Sequence, residues 1–133
     1  GGEKDAAQTV ADIFVDRLDN LDHYRVGITD IRSAALIKYA ENFFLATKVS
    51  IYNELYRAHQ KLGCESTFDE FRMIAGMDDR IGTSHTQVPG WDGKFGWGGH
   101  CFIKDNHEFE KFSGSPLAKF INELNEIHRS WEE

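Results

Sequence analysis

IRSAALIKYAENFFLATKVSIYNELYRAHQKL, residues 31–62, contains neither glycine nor proline. Asp30 offers a capping side chain before it and Gly63 a stop signal after it, as a helix requires. A helix over 31–62 would be roughly 48 Å long at 1.5 Å per residue. A domain of 133 residues does not need one of that length. Phe43, Phe44, Leu45, Ala46, Val49, Ile51, Tyr52 and Leu55 cover most of its circumference. A helix that is apolar nearly all round is buried nearly all round. One small domain covers one side, so the sequence predicts a homodimer, with a second subunit against another side of this helix.

Working outward, Ala7, Val10, Ala11, Phe14 and Leu18 fall at helical spacing and predict a helix from about Lys4 to Leu18. The stretch DNLDHYRVGITD then breaks the pattern at Asn20 and Gly27. Beyond the long helix, Thr67 and Glu70 form the pattern of a capping box, which opens a short helix ending at Ala75 before Gly76. Residues 82–100 read as a glycine-rich loop with no strand. A further helix can begin near Lys104, and a last one runs from Pro116, a favoured first-turn residue, through Trp131. The expected fold is all-α: a single helical domain over residues 1–133, built around the long central helix.

Composition narrows the function. The net charge is −7 and no cluster of lysine or arginine interrupts it, which excludes a nucleic-acid partner. The 41% hydrophobic and 28% charged content is that of an ordinary globular chain. No apolar run has the length of a membrane span, and no signal-peptide pattern opens the sequence, so no membrane association is expected. Cys64 and Cys101 are too few for a disulfide framework and point to a reducing compartment, with cytoplasm the expected location.

Chemistry concentrates in GKFGWGGHCFIKD, residues 93–105. A helix starting near Phe102 sets Cys101 at its amino end with His100 and Lys104 close by, a setting that favours the reactive thiolate. The plainer reading is a small apolar side chain in a turn. Lys38 and Asn42, four residues apart, share a helix face that Glu41 extends as a polar stripe. Such a lysine can hold a developing oxyanion and such an amide can orient water; the same spacing fits a solvated helix edge. His85, His100, Cys101 and His107 match no metal-ligand spacing, and no metal site is expected. Gly96, Gly98 and Gly99 do not follow a strand and so are not a dinucleotide fingerprint.

LIKYAENFFLATKVSIYNEL (36–55), GMDDRIG (76–82) and GKFGWGGHCFIKD (93–105), in this order and spacing, resemble the central domain of the UDP-glucose/GDP-mannose dehydrogenase family. INELNEIHRSWEE resembles the helical segment that follows in the family, and GGEKDAAQTV its entry. The resemblance implies oxidation of the primary alcohol of a nucleotide sugar to a carboxylate, with two NAD molecules used in succession. It implies Cys101 as the nucleophile, attacking the aldehyde as a thiohemiacetal and later released from a thioester by water. Lys38 then corresponds to the lysine that stabilises oxyanion character, Asn42 to its partner on the sugar oxygen or water, and Asp105 to the aspartate that orders that water. Lys104 corresponds to a lysine near substrate and cofactor, and Arg80 to an arginine that reaches a nucleotide sugar bound mainly by the partner subunit. Phe95, Gly96, Trp97, Gly98 and Gly99 correspond to sugar contacts on a flexible loop. The long helix corresponds to the family's dimer core.

Ile103 stands where the family often has proline, Ala35 where a glutamate is common, and PGWDGKFGWGG is longer than the commonest loop. Family members carry an NAD-binding domain before this segment and a nucleotide-binding domain after it. By this comparison both are missing from the chain, and alone it is expected to turn over no nucleotide sugar. UDP-glucose is the first expectation for the substrate. The rival expectation is a stand-alone helical homodimerisation module that keeps the motif without activity.

Overall fold

The computed structural model describes residues 2–15 and 26–131. Among them are five α-helices and no strand, so the all-α class expected from sequence holds. They are α1 (Lys4–Val15), α2 (Ile31–Leu62), α3 (Phe68–Ala75), α4 (His100–Ser113) and α5 (Pro116–Arg129). No helix among the described residues is long and apolar enough to cross a membrane. Leu18 and Asn20, the expected end of the first helix and its break, lie outside the described residues.

The chain forms two compact units, Gly1–Ala40 and Glu41–Glu133. In the first, α1 turns Ala11 inward, and residues Val26, Gly27 and Ile28 border a cleft with its Val10 and Phe14. Asp30 caps α2: its Oδ1 accepts the N–H groups of Arg32 at 2.9 Å and Ser33 at 3.0 Å. The Ser33 side chain, followed by these N–H groups, holds its carboxyl below the ordinary carboxylate range.

The second unit holds the core. Ala46 of α2, Trp97 of the glycine-rich loop and Ile121 of α5 are buried together, with Phe43, Val49 and Phe102 packed around them. The capping box read from sequence is present, Thr67 Oγ1 accepting from the Glu70 N–H and the Glu70 carboxylate from the Thr67 N–H. It starts α3, whose Phe68 and Phe71 pack against His59, with Tyr56 edge-on to Phe68. α4 ends at Gly114 in the left-handed conformation, Ser115 caps α5 with Pro116 in its first turn, and the two helices pack on each other. The sequence places the start of α4 near Lys104, but the helix begins at His100. Its N-cap is Gly99, with no side-chain hydrogen bond, so the polar cap that announces a helix start is missing from the sequence.

Burial departs from a simple apolar pattern. Ser50, Asn53, Asn106, Asn122, Asn125 and His128 are buried, whereas Phe44 and Ile51 of α2 remain 66% and 52% exposed.

Candidate active site

Gly99 positions the cysteine. Its φ of 87° and ψ of 154° lie in a region that is essentially glycine-only. That geometry turns the loop into the first turn of α4 and leaves Cys101 exposed at the helix's amino end. The cysteine opens on a cleft of about 490 Å³, bordered also by His85, Gln87, Trp91, Trp97 and Phe102. The His85 ring stacks on Phe102 at 5.9 Å, and its own backbone has a φ of 59°.

The loop that the sequence presents as flexible backbone is buried and tied at its middle. The Gly96 N–H donates to Asn53 Oδ1 at 2.8 Å, and the Trp97 N–H to Asn125 Oδ1 at 2.8 Å. Asn125 Nδ2 donates in return to the Trp97 carbonyl at 3.0 Å, and the indole N–H of Trp97 donates to Ser50 Oγ at 3.0 Å. Two asparagines thus treat the loop as a neighbouring strand would, satisfying its polar groups away from water. At the loop's outer turn Arg129 Nη1 donates to Asp92 Oδ2 at 2.8 Å, and this hydrogen bond holds the Asp92 carboxyl below the ordinary range.

One turn beyond Cys101 on α4, Asp105 is 1% exposed. Asn42 Nδ2 donates to its Oδ2 at 2.7 Å, and Lys104 Nζ lies 3.1 Å from its Oδ1. Both oxygens of this buried carboxyl group are thus engaged. It holds Asn42 by one of the four hydrogen bonds that an amide can make.

The residues expected from sequence therefore separate. Cys101, Gly96, Trp97, Gly98 and Gly99 border the cleft, and Asn42, Lys104 and Asp105 form one network beside them on α2 and α4. Phe95 does not border this cleft: its ring packs 5.6 Å from both Tyr56 and Trp131. Arg80 lies on the exposed turn after α3, paired with Asp78 at 2.6 Å, and that carboxylate raises the guanidinium's pKa. Lys48 Nζ donates to the carbonyls of Ile81 and Gly82 and so ties this turn to α2. Lys38 belongs to the first unit. No group of three or more His, Cys, Asp or Glu among the described residues is arranged to hold a metal ion.

A family description carries the arrangement further. The central domain of the UDP-glucose/GDP-mannose dehydrogenase family matches residues 32–130. The chain belongs to this family. Its relatives include UDP-glucose 6-dehydrogenase YwqF of Bacillus subtilis, 40% identical over 87 residues, which are 65% of this chain and 18% of the relative. UDP-glucose 6-dehydrogenase AglM of Haloferax volcanii is 37% identical over 106 residues, 79% of this chain and 23% of the relative. UDP-glucose 6-dehydrogenase TuaD of Bacillus subtilis is 32% identical over 121 residues, 87% of this chain and 25% of the relative. The chain thus spans a quarter or less of the length of these curated relatives.

Within this central domain of the dehydrogenase family, sequence reasoning missed Asn53, Asn125 and Ser50, which hold the loop, and Gln87, Trp91 and Asp92, which border the cleft. Of the two asparagines, Asn53 carried a signal of a kind, lying beside Val49, Tyr52 and Tyr56 on α2, whereas Asn125 lies beside Asn122, His128 and Arg129 on α5 and carried none. Nothing in their spacing points to the loop.

Proposed function

We propose that the chain is the substrate-binding and dimerising central domain of an NAD-dependent UDP-glucose 6-dehydrogenase, acting through Cys101. The observation that carries this reading is the exposed thiol at the start of α4, opening on the cleft with the Asn42–Asp105–Lys104 network one turn away. Sγ adds as thiolate to the C6 aldehyde, forming the C–S bond as the carbonyl π pair moves to oxygen. Once the second oxidation has produced the thioester, water adds to its carbon, the C–S bond breaks, and carboxylate, thiolate and two protons result. Asp105 keeps Asn42 aimed at the sugar oxygen or the water, and Lys38 is assigned the oxyanion. Lys104 and Arg80 are assigned to substrate binding, Arg80 toward the substrate of a partner subunit.

NAD supplies hydride acceptance in this chemistry, but the residues present do not fit it. No strand is present among the described residues, and the Gly96 and Trp97 N–H groups that could meet a pyrophosphate are already committed to asparagines. The reading assigns NAD to other parts of a longer polypeptide, and the cytoplasm as the compartment.

Two results are expected. UDP-glucose at saturating concentration slows iodoacetamide labelling of Cys101 at least severalfold and leaves Cys64 unchanged. Both thiols are exposed, so Cys64 is an internal control, and mass-spectrometric mapping reads the ratio. Equal labelling with and without the nucleotide sugar would remove Cys101 from the substrate site. Second, the chain is a homodimer by light scattering at micromolar concentration. Phe44 and Ile51, seven residues apart on one face of α2, are mostly exposed, and a second copy covers such a face. A monomer across that range would refute it.

A further inference from the structure

The cleft has one feature that the proposed chemistry does not use. Trp91 is 86% exposed and borders the same cleft as Cys101. The other two tryptophans are spoken for: Trp97 is buried, and Trp131 packs between Phe95 and His128 beneath Arg57. An isolated exposed apolar residue is ordinary. Trp91 differs because its backbone is fixed. The Gly90 N–H donates to the Lys94 carbonyl and the Gly93 N–H to the Gly90 carbonyl, both at 2.9 Å, closing the turn that carries it. Asp92, the next residue, accepts the Lys94 N–H at 3.2 Å on one oxygen and Arg129 at 2.8 Å on the other. Arg129 also donates to the Phe95 carbonyl at 3.4 Å. The turn is thereby clamped to the last turn of α5, and the indole has no ring partner among the described residues.

A flat aromatic side chain on a closed turn at the mouth of a cleft is suited to stacking, because with the backbone fixed only its two side-chain torsions remain to be ordered when a ligand arrives. We propose that Trp91 is a specificity-determining residue that stacks on the apolar C–H face of the hexose. This rests on the nucleotide-sugar reading above and adds to it the sugar's platform. The shared lining of the cleft, Cys101 with Trp91, decides between sugar and base. A volume of 490 Å³ equals a cube about 8 Å on a side. With the reacting carbon at Cys101, the hexose is the part of the ligand that lies in that space with room to spare, and the nucleoside lies two phosphates further out. Gln87, His85 and Asp92 supply the hydrogen-bonding edge that a sugar's hydroxyls require.

Saturation-transfer NMR on the chain with UDP-glucose, and separately with UDP, tests this. The expected result is strongest transfer to the glucose ring protons, with W91A binding UDP-glucose roughly tenfold more weakly, W91F close to wild type, and UDP binding unchanged by either. Circular dichroism checks that W91A keeps the helical fold, as an exposed side chain allows. Wild-type binding of UDP-glucose with no loss in W91A overturns the platform and leaves the nucleotide-sugar reading standing. A loss that falls equally on UDP, or on the uracil protons, overturns it in favour of base stacking. No transfer from the wild-type chain to either ligand overturns the nucleotide-sugar reading and the platform with it.

Discussion

Replacing Gly96 by alanine is expected to lower the unfolding free energy by about 2–5 kcal/mol, enough to take a large part of a typical domain's stability. Two costs combine. Gly96 has a φ of 70°, and an L-residue there costs about 1–2 kcal/mol. A Cβ at this position would also stand 2.5 Å from Asn125 Oδ1 and 3.0 Å from His128 Cβ. The amide oxygen cannot retreat freely, because it accepts the Trp97 N–H at 2.8 Å while the same side chain's Nδ2 donates to the Trp97 carbonyl. Moving it leaves buried backbone groups unsatisfied, and overpacking of this kind costs about 1–3 kcal/mol. Urea unfolding of G96A reads the effect as a fall in midpoint, and a midpoint within experimental error of wild type would show that the loop yields. Gly93 is the control. It too has a positive φ of 70°, yet no atom lies within 4 Å of its Cβ position, so G93A carries the backbone cost alone.

That contrast also marks what the sequence makes legible. The long helix is written in the absence of Gly and Pro from 31 to 62, and α2 has those limits. Thr67 and Glu70 announce α3 because a capping box is a local rule, set by residues three apart. Pro116 announces α5 for the same reason. α4 starts earlier than expected because its cap is a backbone conformation of Gly99 rather than a side chain. Long-range polar pairing is harder to read. Asn53 lies 43 residues from Gly96, and Asn125 lies 28 from Trp97. An amide that will be buried against a distant loop looks, in sequence, like one that faces water. The same ambiguity hid the polar inner side of α5, where Asn122, Asn125 and His128 are buried while Leu117, Phe120 and Ile127 point outward. Of the candidate site, the placement of Cys101 at the amino end of a helix was legible, and so was the helix face of Asn42. The inward packing of Phe95 was not, since alternation of glycine and aromatics carries no record of which side of the loop faces the core.

Acid is expected to destabilise this domain through His128, whose side chain is fully buried behind the loop. Its Nε2 lies 2.7 Å from Glu54 Oε1, and its Nδ1 is buried without a hydrogen-bond partner among the described residues. The neutral ring suits this pocket: Nε2–H donates to the carboxylate, and Nδ1 keeps only a lone pair. Protonation would put an N–H where nothing accepts it. Burial accordingly lowers the histidine's pKa below its usual 6.5, outweighing the pull of Glu54 in the opposite direction and aided by the nearby charge of Arg57. The unfolded chain therefore binds this proton at a higher pH than the folded one. Stability is full above about pH 6.5 and falls as pH drops from there towards the folded pKa, with a slope from this residue of up to about 1.4 kcal/mol per pH unit. H128Q removes the titration, so its stability measured by urea unfolding from pH 7 to pH 5 should decline less steeply than that of wild type. E54Q should extend the decline to lower pH, because it removes the carboxylate that favours the charged ring. Parallel profiles for wild type and H128Q would refute the assignment. The Cβ of His128 abuts the space beside Gly96, so a ring forced out by protonation pulls away the wall against which the loop beside Cys101 is held.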